Sequence, residues 1–394
     1  MTGSEAIREG VSICGLGAVT GYGWGQKHLR EGILSGESSV SLTPGYGSHF
    51  ETESIWVSQV KDEGEAEDGP SRFTRATRYA AREAYRDAYD RGWRPGEVVG
   101  IVGGFVLGDV DLNRAYHRRH GYRTSRRGFL ELMPSTVLTG IAKEFDMHGP
   151  SIQATSMCAS GVSGLLLAKS WLEAGLASDV LVFTSDISAS PENCRAFSHV
   201  GALVCDAPPL EACRPYQEGS RGPVAGEAVV AMIVTKKRDG SYGTVRGGGM
   251  TQDGFHPVSI APDHVQVIRA FKLALDNSGV AASEVAYLNG HGTGTKQCDE
   301  AEADAFDRLF PNAEGLFSMK PLFGHCQGAA AAVETIATLH GFETGVIPAP
   351  PQRAPGHPKL LDGATPAVKG AVAKSSLGMG GHNAVMILEP PTRP

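Results

Sequence analysis

Short apolar runs spaced along the chain decide what it can fold into. They are VSICGLG (11–17), VVGIVGG (98–104), DVLVFTSD (179–186), EAVVAMIVTKK (227–237), VAYLNGHG (285–292) and AVMILEP (384–390). Each is too short for a helix and rich in β-branched residues, so each is expected as a strand buried on both faces. Helical periodicity fills the intervals, over 74–90, 161–175, 264–276, 301–310 and 328–342. Strands alternating with helices predict a layered α/β architecture. The rhythm occurs twice and breaks near the glycines of 240–249, which predicts two halves, 1–245 and 246–394. GYGSHFETES (45–54) and the proline-rich 348–358 stretch read as surface loops.

The chain has 394 residues, 41% hydrophobic and 20% charged. That composition supports a large core and excludes disorder and collagen-like repeats. Its 36 basic and 43 acidic residues leave a net charge of −7, which argues against generic binding to nucleic acid or anionic membrane. There is no apolar run of about 18 residues, and MTGSEAIREG lacks the basic and apolar parts of a leader peptide. A cytoplasmic protein is the expectation. Seven cysteines without a C-x-x-C pair fit neither a disulfide framework nor a zinc ribbon, and they leave room for a reactive thiol.

The sharpest local feature is GPSIQATSMCASGVSGLLLAKSWLEAG (149–175). The strand-like SIQAT leads into Ser156-Met157-Cys158, and a helix opens at Ala159. A cysteine there meets the unpaired N–H groups and dipole of the helix N-terminus, which favour a thiolate. Ala159, Ser160 and Gly161 are small enough to admit a substrate. By itself this pattern fits a buried structural cysteine equally well.

Two later segments shift the balance. In YLNGHGTGTKQCDEAEADAF (287–306) a strand delivers His291 into a glycine-threonine turn followed by an acidic helix. In FSMKPLFGHCQGAAAAVETIATL (317–339) a short strand carrying Lys320 leads to His325 and a small-residue helix. A strand-end cysteine and two strand-end histidines, all beside small residues, are poorly explained by packing. A zinc site from Cys158, His291 and His325 is the weaker alternative, because no ligand pair shows motif spacing such as H-E-x-x-H. The trio suits acyl transfer from a thioester followed by carbon–carbon bond formation. The thiolate takes the acyl group, backbone N–H groups hold the oxyanion, and two imidazoles donate to an enolate oxygen. A hydrolytic Cys-His enzyme would need one base and an orienting Asn or Asp instead.

These segments resemble the β-ketoacyl-acyl carrier protein synthases, the type I/II ketosynthase family of fatty-acid and polyketide synthases. The similar blocks are SMCASG (156–161), CRPYQEGSRGPVAGEA (213–228), NGHGTGTKQCDEAEA (289–303), KPLFGHCQGAAA (320–331) and SLGMGGHNA (376–384), in the family's order over essentially the whole chain. The resemblance implies a thiolase-like fold, two βαβαβ-type halves in a five-layered α/β/α/β/α sandwich. The nucleophile would come from the first half and the histidines from the second. It implies Cys158 as acyl acceptor, and His291 and His325 as the pair that supports malonyl decarboxylation. Lys320 would be the active-site lysine, setting the electrostatics around His325. Thr293 and Thr295 would bind the phosphopantetheine arm, and the backbone N–H groups of Cys158 and Met379 would form the oxyanion hole. Asp299 and Glu302 would be supporting acids, with Glu302 paired to Lys320. No cofactor is implied, since the phosphopantetheine arrives on the acyl carrier protein. The implied assembly is a homodimer or a heterodimer with a chain-length-factor homologue, with 133–149 near the dimer edge.

The chain departs from the family pattern at several positions. Met157 replaces an alanine, Met379 stands at the gating phenylalanine, His382 replaces a threonine and Gln217 an aspartate, which together point to an altered starter or chain-length preference. The basic run NRAYHRRHGYRTSRR (113–127) stands out in an acidic chain. Within it the resemblance points to Arg126 and Arg127 as the carrier-protein docking site, with Arg118, Arg119 and Arg123 as further candidates. A non-condensing acyltransferase and a structural chain-length-factor-like subunit are the alternatives. The retained Cys158 and histidines speak against the second, and the absence of any cysteine after Cys326 speaks against a thiolase.

Overall fold

A computed structural model describes residues 9–120, 125–237 and 239–391, without the side chains of 119 and 120. Among the described residues, ten strands run in one continuous order through the eleven-stranded main sheet. In chain order they are β1 (Val11–Thr20), β2 (Val99–Gly104), β3 (Ser151–Gln153), β4 (Asp179–Asp186) and β5 (Ala228–Thr235). Then follow β6 (Gly243–Gln252), β7 (Val285–Asn289), β8 (Gly315–Phe317), β9 (Ala371–Gly378) and β10 (His382–Glu389). The principal helices are α1 (Arg72–Asp90), α2 (Ser135–Glu144), α3 (Ser160–Glu173), α4 (Val265–Ser278), α5 (Lys296–Leu309) and α6 (Ala330–Thr344).

The two halves repeat one topology. The first sheet runs β3-β2-β4-β5-β1 and the second β8-β7-β9-β10-β6, which is the same order once strands are counted from the start of each half. The sense of pairing repeats as well. β3, β2 and β4 are parallel, with β5 antiparallel to β4 and β1 antiparallel to β5. In the second half β8, β7 and β9 are parallel, with β10 and then β6 antiparallel. The sheets meet where β1 pairs with β6, from Val11 opposite Val245 to Ile13 opposite Gly243. Strand β6 spans Gly243–Gln252, with a shift in its pairing to β10 between Val245 and Gly247.

Layering follows from the strictly alternating faces of buried strands. Val229, Ala231 and Ile233 of β5 face α1 and α2, packing with Ala76, Ala80, Ala84 and Ile141. Their neighbours Val230, Met232 and Val234 face the opposite way, into a core with Leu165 of α3, Ile336 of α6 and Met386 of β10. Val385 and Ile387 of β10 then turn outward to Phe271 of α4 and Phe306 of α5. Helices α3 and α6 thus lie between the sheets and touch both. The order is helix, sheet, helix, sheet, helix, the expected five-layered thiolase-like sandwich.

Glycines in equivalent strands set the spacing of the outer helices. A Cβ at Gly17 would lie 2.0 Å from the Ala80 carbonyl oxygen of α1, and one at Gly15 2.2 Å from that of Ala84. In the second half a Cβ at Gly249 would lie 2.4 Å from the Ala270 carbonyl oxygen of α4. In each case the obstacle is helix backbone, which cannot turn aside.

Several local expectations need correction. Lys320 is not on a strand: β8 stops at Phe317, and Lys320 opens a four-residue helix, Lys320–Phe323, because Pro321 suits a first helical turn. Strand β7 ends at Asn289, which places His291 in the turn beyond it. The 45–54 segment is anchored and not wholly superficial, since Tyr46 is buried and its hydroxyl donates to the Ala189 carbonyl at 2.7 Å. Strands β6 and β9 escaped the sequence reading because glycines in one and Lys374-Ser375-Ser376 in the other interrupt the apolar pattern.

Gly17→Val should force α1 off the sheet and destabilise the protein by about 1–3 kcal/mol or more. Thermal unfolding checks this, and a melting temperature equal to that of the natural chain would show that the helix is not held at glycine distance.

Candidate active site

The site assembles where the two central helices begin. A Cβ at Gly161, in the first turn of α3, would lie 2.6 Å from the Ala332 backbone nitrogen of α6. That approach brings together the segments preceding each helix, one carrying Cys158 and the other His325. Met157 is held at φ 51°, a costly conformation for a side-chain-bearing residue, so Cys158 sits on a sharp turn. Ser160 Oγ accepts from the Ser156 amide at 2.9 Å and donates to the Met157 carbonyl at 2.7 Å, closing that turn. Ser376 of β9 donates to the Cys158 carbonyl at 2.9 Å and ties the turn to the second half.

His291 is placed by the turn after β7, where Gly292 and Gly294 have φ of 42° and 74°. His325 follows Gly324, also left-handed, and its amide donates to the Val224 carbonyl at 2.7 Å. The imidazole centroids are 5.2 Å apart with the planes at 77°. The Cys158 sulfur and one nitrogen from each ring all lie within 4.8 Å of one another. All three residues are buried, and Nδ1 of each histidine has no hydrogen-bond partner among the described residues. They line a cavity of about 210 Å³ together with Thr293, Thr295 and Met379. The two threonine hydroxyls lie 2.8 Å apart on its wall.

Electrostatics define the resting state. Burial pushes the Cys158 thiol up to about 11, opposed by the Lys320 charge and by the N–H groups of Met379 and of Cys158 itself. Desolvation therefore outweighs the electropositive setting expected from the helix terminus, and the free protein holds a thiol. Burial, with Lys320 and Lys374 nearby, holds both histidines well below the usual imidazole range, so both rings are neutral. A divalent cation at these three residues would face two buried ammonium groups and a thiol that resists ionisation, so the donor set suits proton and acyl chemistry better than a metal.

The supporting residues differ from expectation in one pairing. Glu302 does not pair with Lys320. Its carboxylate accepts the amides of His291 and Gly292 at 2.7 Å each and the Tyr216 hydroxyl at 2.8 Å. Lys320 instead donates to the His291 carbonyl and lies 2.8 Å from Glu334. Glu334 is on the central helix α6, whereas Glu302 is on the outer helix α5. Asp299, raised to about 7 by burial and then by Glu302, accepts the Tyr216 amide at 2.7 Å and the Gly294 amide at 3.1 Å.

Glu334 and Lys374 were missed at the sequence level, although each is a lone charge in a run otherwise built of small and apolar residues, AAAAVETIATL and AVAKSSLG. Met379 lines the cavity, whereas Met157 is not among its lining residues. Gln217 lies away from the cavity and accepts the amides of Arg353 and Ala354 at 2.7 and 3.0 Å, so it bears on loop structure rather than on acyl choice. Arg126 and Arg127 are exposed on the Arg126–Leu132 helix, Arg127 lying 2.9 Å from Glu131. Arg118 is 3.8 Å from Glu192, while Arg123 and the Arg119 side chain lie outside the described residues.

The raised thiol gives a pH signature. Alkylation of Cys158 by iodoacetamide should climb steadily through pH 7–9 without a plateau, because the thiolate fraction rises toward a pKa of about 11. A plateau near neutral pH, followed by intact mass, would mean the thiolate is already the resting form.

Comparison with known proteins agrees with this geometry. Residues 8–240 match the model for the beta-ketoacyl synthase N-terminal domain, and residues 242–352 match that for the C-terminal domain. A 3-oxoacyl-[acyl-carrier-protein] synthase 2 of Staphylococcus aureus (strain MRSA252) is 27% identical, covering 98% of this chain and 99% of its own. Nodulation protein E of Rhizobium sp. (strain N33) is 28% identical over 86% of this chain and 87% of its own. A chain of the ishigamide ketosynthase/chain length factor superposes with a TM-score of 0.83 at 23% identity, covering 97% of this chain and 99% of that one. One from a type II polyketide synthase complex of ketosynthase and acyl-carrier protein gives 0.83 at 22% identity, with 97% and 100% covered. Those two likenesses show a shared fold, while the family models span both halves up to residue 352, including the turns that carry Cys158, His291 and His325. The chain therefore belongs to the β-ketoacyl synthase family.

Proposed function

We propose that this protein catalyses decarboxylative Claisen condensation between an acyl group on Cys158 and a malonyl thioester, giving a 3-oxoacyl thioester. The observation that carries the reading is the convergence of one thiol and two neutral imidazoles within 4.8 Å on the wall of one cavity. In the first half-reaction the Cys158 thiol passes its proton to an imidazole and attacks the acyl thioester. The N–H groups of Cys158 and Met379 receive the oxyanion, and the carrier thiol leaves protonated. In the second, the malonyl carbonyl oxygen lies between N–H donors of His291 and His325. The bond to the carboxylate breaks, carbon dioxide departs, and the electron pair passes into an enolate held by those donors. The enolate carbon attacks the acyl-cysteine, and the sulfur leaves as a thiolate and takes up a proton from solvent, the one proton the condensation consumes. Thr293 and Thr295 line the path a pantetheine arm would follow, and this chain's residues supply each step without a further cofactor.

Two relatives in solved complexes suggest the partners. One ketosynthase is bound to its acyl-carrier protein and another to a chain length factor. For this chain we assign carrier-protein docking to Arg126 and Arg127, whose charge complements an acidic partner. A second copy or a homologous subunit would pair along β3, an edge strand whose three residues are all exposed. No described helix is long and apolar enough to cross a membrane, which fits the proposed cytoplasmic setting. The retained thiol and histidine pair favour catalysis over a structural chain-length-factor role.

Intact-mass analysis tests the chemistry. The natural chain should gain an acyl group at Cys158 and release it as 3-oxoacyl product on adding malonyl-carrier protein. Cys158→Ala should load nothing. His291→Ala and His325→Ala should load but condense about 10²–10⁴-fold more slowly. Condensation surviving in Cys158→Ala would overturn the reading, and loading without any 3-oxo product would reduce it to acyl transfer. Charge reversal of Arg126 and Arg127 should raise KM for acyl-carrier protein and leave reaction with small thioester mimics unchanged. An unchanged KM would reject the docking site.

A further inference from the structure

Beneath the imidazoles lie four charged side chains, all fully buried: Lys320, Lys374, Glu334 and Glu302. Glu334 stands between the two ammonium groups, 2.8 Å from Lys320 Nζ through Oε1 and 2.8 Å from Lys374 Nζ through Oε2. Lys374 also donates to the Ser375 carbonyl at 2.6 Å and to the carbonyls of Asn289 and Gly290 at 3.3 Å each. Lys320 donates to the next carbonyl, that of His291. From below, Glu302 takes the amides of His291 and Gly292, and the Ser375 hydroxyl donates to the same carboxylate. The carbonyls of 289–291 are thus held by cations and the amides of 291–292 by an anion. Lys374 stands in a strand whose other buried positions are small or apolar, so an apolar side chain would meet the packing requirement alone. Burial pulls Lys374 below the usual lysine range, opposed by the Glu334 carboxylate, and its amino group spends its hydrogen bonds on the turn that carries His291.

We infer that Lys374 is a positioning residue for the condensing site, fixing the Asn289–Gly290 carbonyls and hence His291, and sharing Glu334 so that Lys320 stays on the His291 carbonyl. The inference rests on the ketosynthase reading of the histidine pair. Lys374 also adds positive charge beneath both imidazoles and favours their neutral forms. The charged and titratable groups around the pair are Lys374, Lys320, Glu334, Glu302, Asp299, Cys298, Cys326, Cys213 and Tyr216, with Cys158 and Asp186 from the first half. Removing one ammonium from this set leaves Glu334 paired with Lys320 alone. The local field at the rings becomes more negative, and both become easier to protonate.

The test uses the full-length protein and two neutral replacements, Lys374→Met and Lys374→Gln, the second keeping an N–H donor should the first fail to fold. In either variant kcat for condensation should fall about tenfold or more, as for the loss of a supporting residue behind a ligand or base. KM for malonyl-carrier protein should stay within about twofold and acyl loading of Cys158 should be little changed. The acid limb of the kcat profile should move to higher pH. A reduced kcat with an unmoved limb would make Lys374 merely structural and overturn the inference. Isotope-labelled histidine NMR of the free protein gives an answer that needs no turnover. His291 and His325 should stay neutral well below the ordinary histidine range in the natural chain and titrate at higher pH in the Gln variant. Coincident titration curves would overturn it. If the natural chain loads acyl groups but never condenses, the ketosynthase reading fails, while these curves still decide whether Lys374 governs the rings.

Discussion

One contact holds the reacting groups together, the meeting of α3 and α6 at Gly161. The nucleophile and the histidines belong to different repeats of the fold, and each repeat alone would leave its central helix with a bare apolar flank. Packing those flanks against each other buries the shared core and, with no further device, sets the N-termini of the two helices side by side. Any residue with a side chain at 161 would meet the Ala332 backbone, and because that obstacle is backbone, separation of the helices is the only relief. Chemistry and core packing therefore depend on the same few ångströms.

Around this contact the protein solves an electrostatic problem. The reaction proposed for it develops negative charge on oxygen in a desolvated cavity, so N–H donors must be aimed in advance and must not carry a charge that would bind the ground state as tightly. Burial neutralises the imidazoles. Lys320 and Lys374 reinforce that state without entering the cavity lining, and Glu334 keeps them from repelling each other. The cost is a thiol that resists ionisation, so the nucleophile is activated only when an acyl carbonyl and a proton acceptor are both present.

Much of this was legible in the chain. Runs of β-branched residues between helical periods announced a layered α/β fold, and several strand boundaries fall within a residue or two of the reading, 179–186 coinciding. Cys158, His291 and His325 stood out because each follows a strand and adjoins glycine or other small residues. Strands β6 and β9 were obscured, the first by glycines needed for close helix approach and the second by Lys374. The family resemblance pairs Glu302 with Lys320, whereas the lysine's partner, Glu334, sits on the central helix.

By itself the sequence determined the alternation of elements, the small residues at the candidate site's turns and which side chains were candidates for the chemistry, because these depend on side-chain size, backbone preference and periodicity within a few consecutive positions. Only the tertiary structure decided which charges share a carboxylate, that β1 pairs with β6, and that the thiol rests protonated. Those outcomes depend on distance and desolvation between groups that lie from about a dozen to more than two hundred residues apart. A linear pattern records neither.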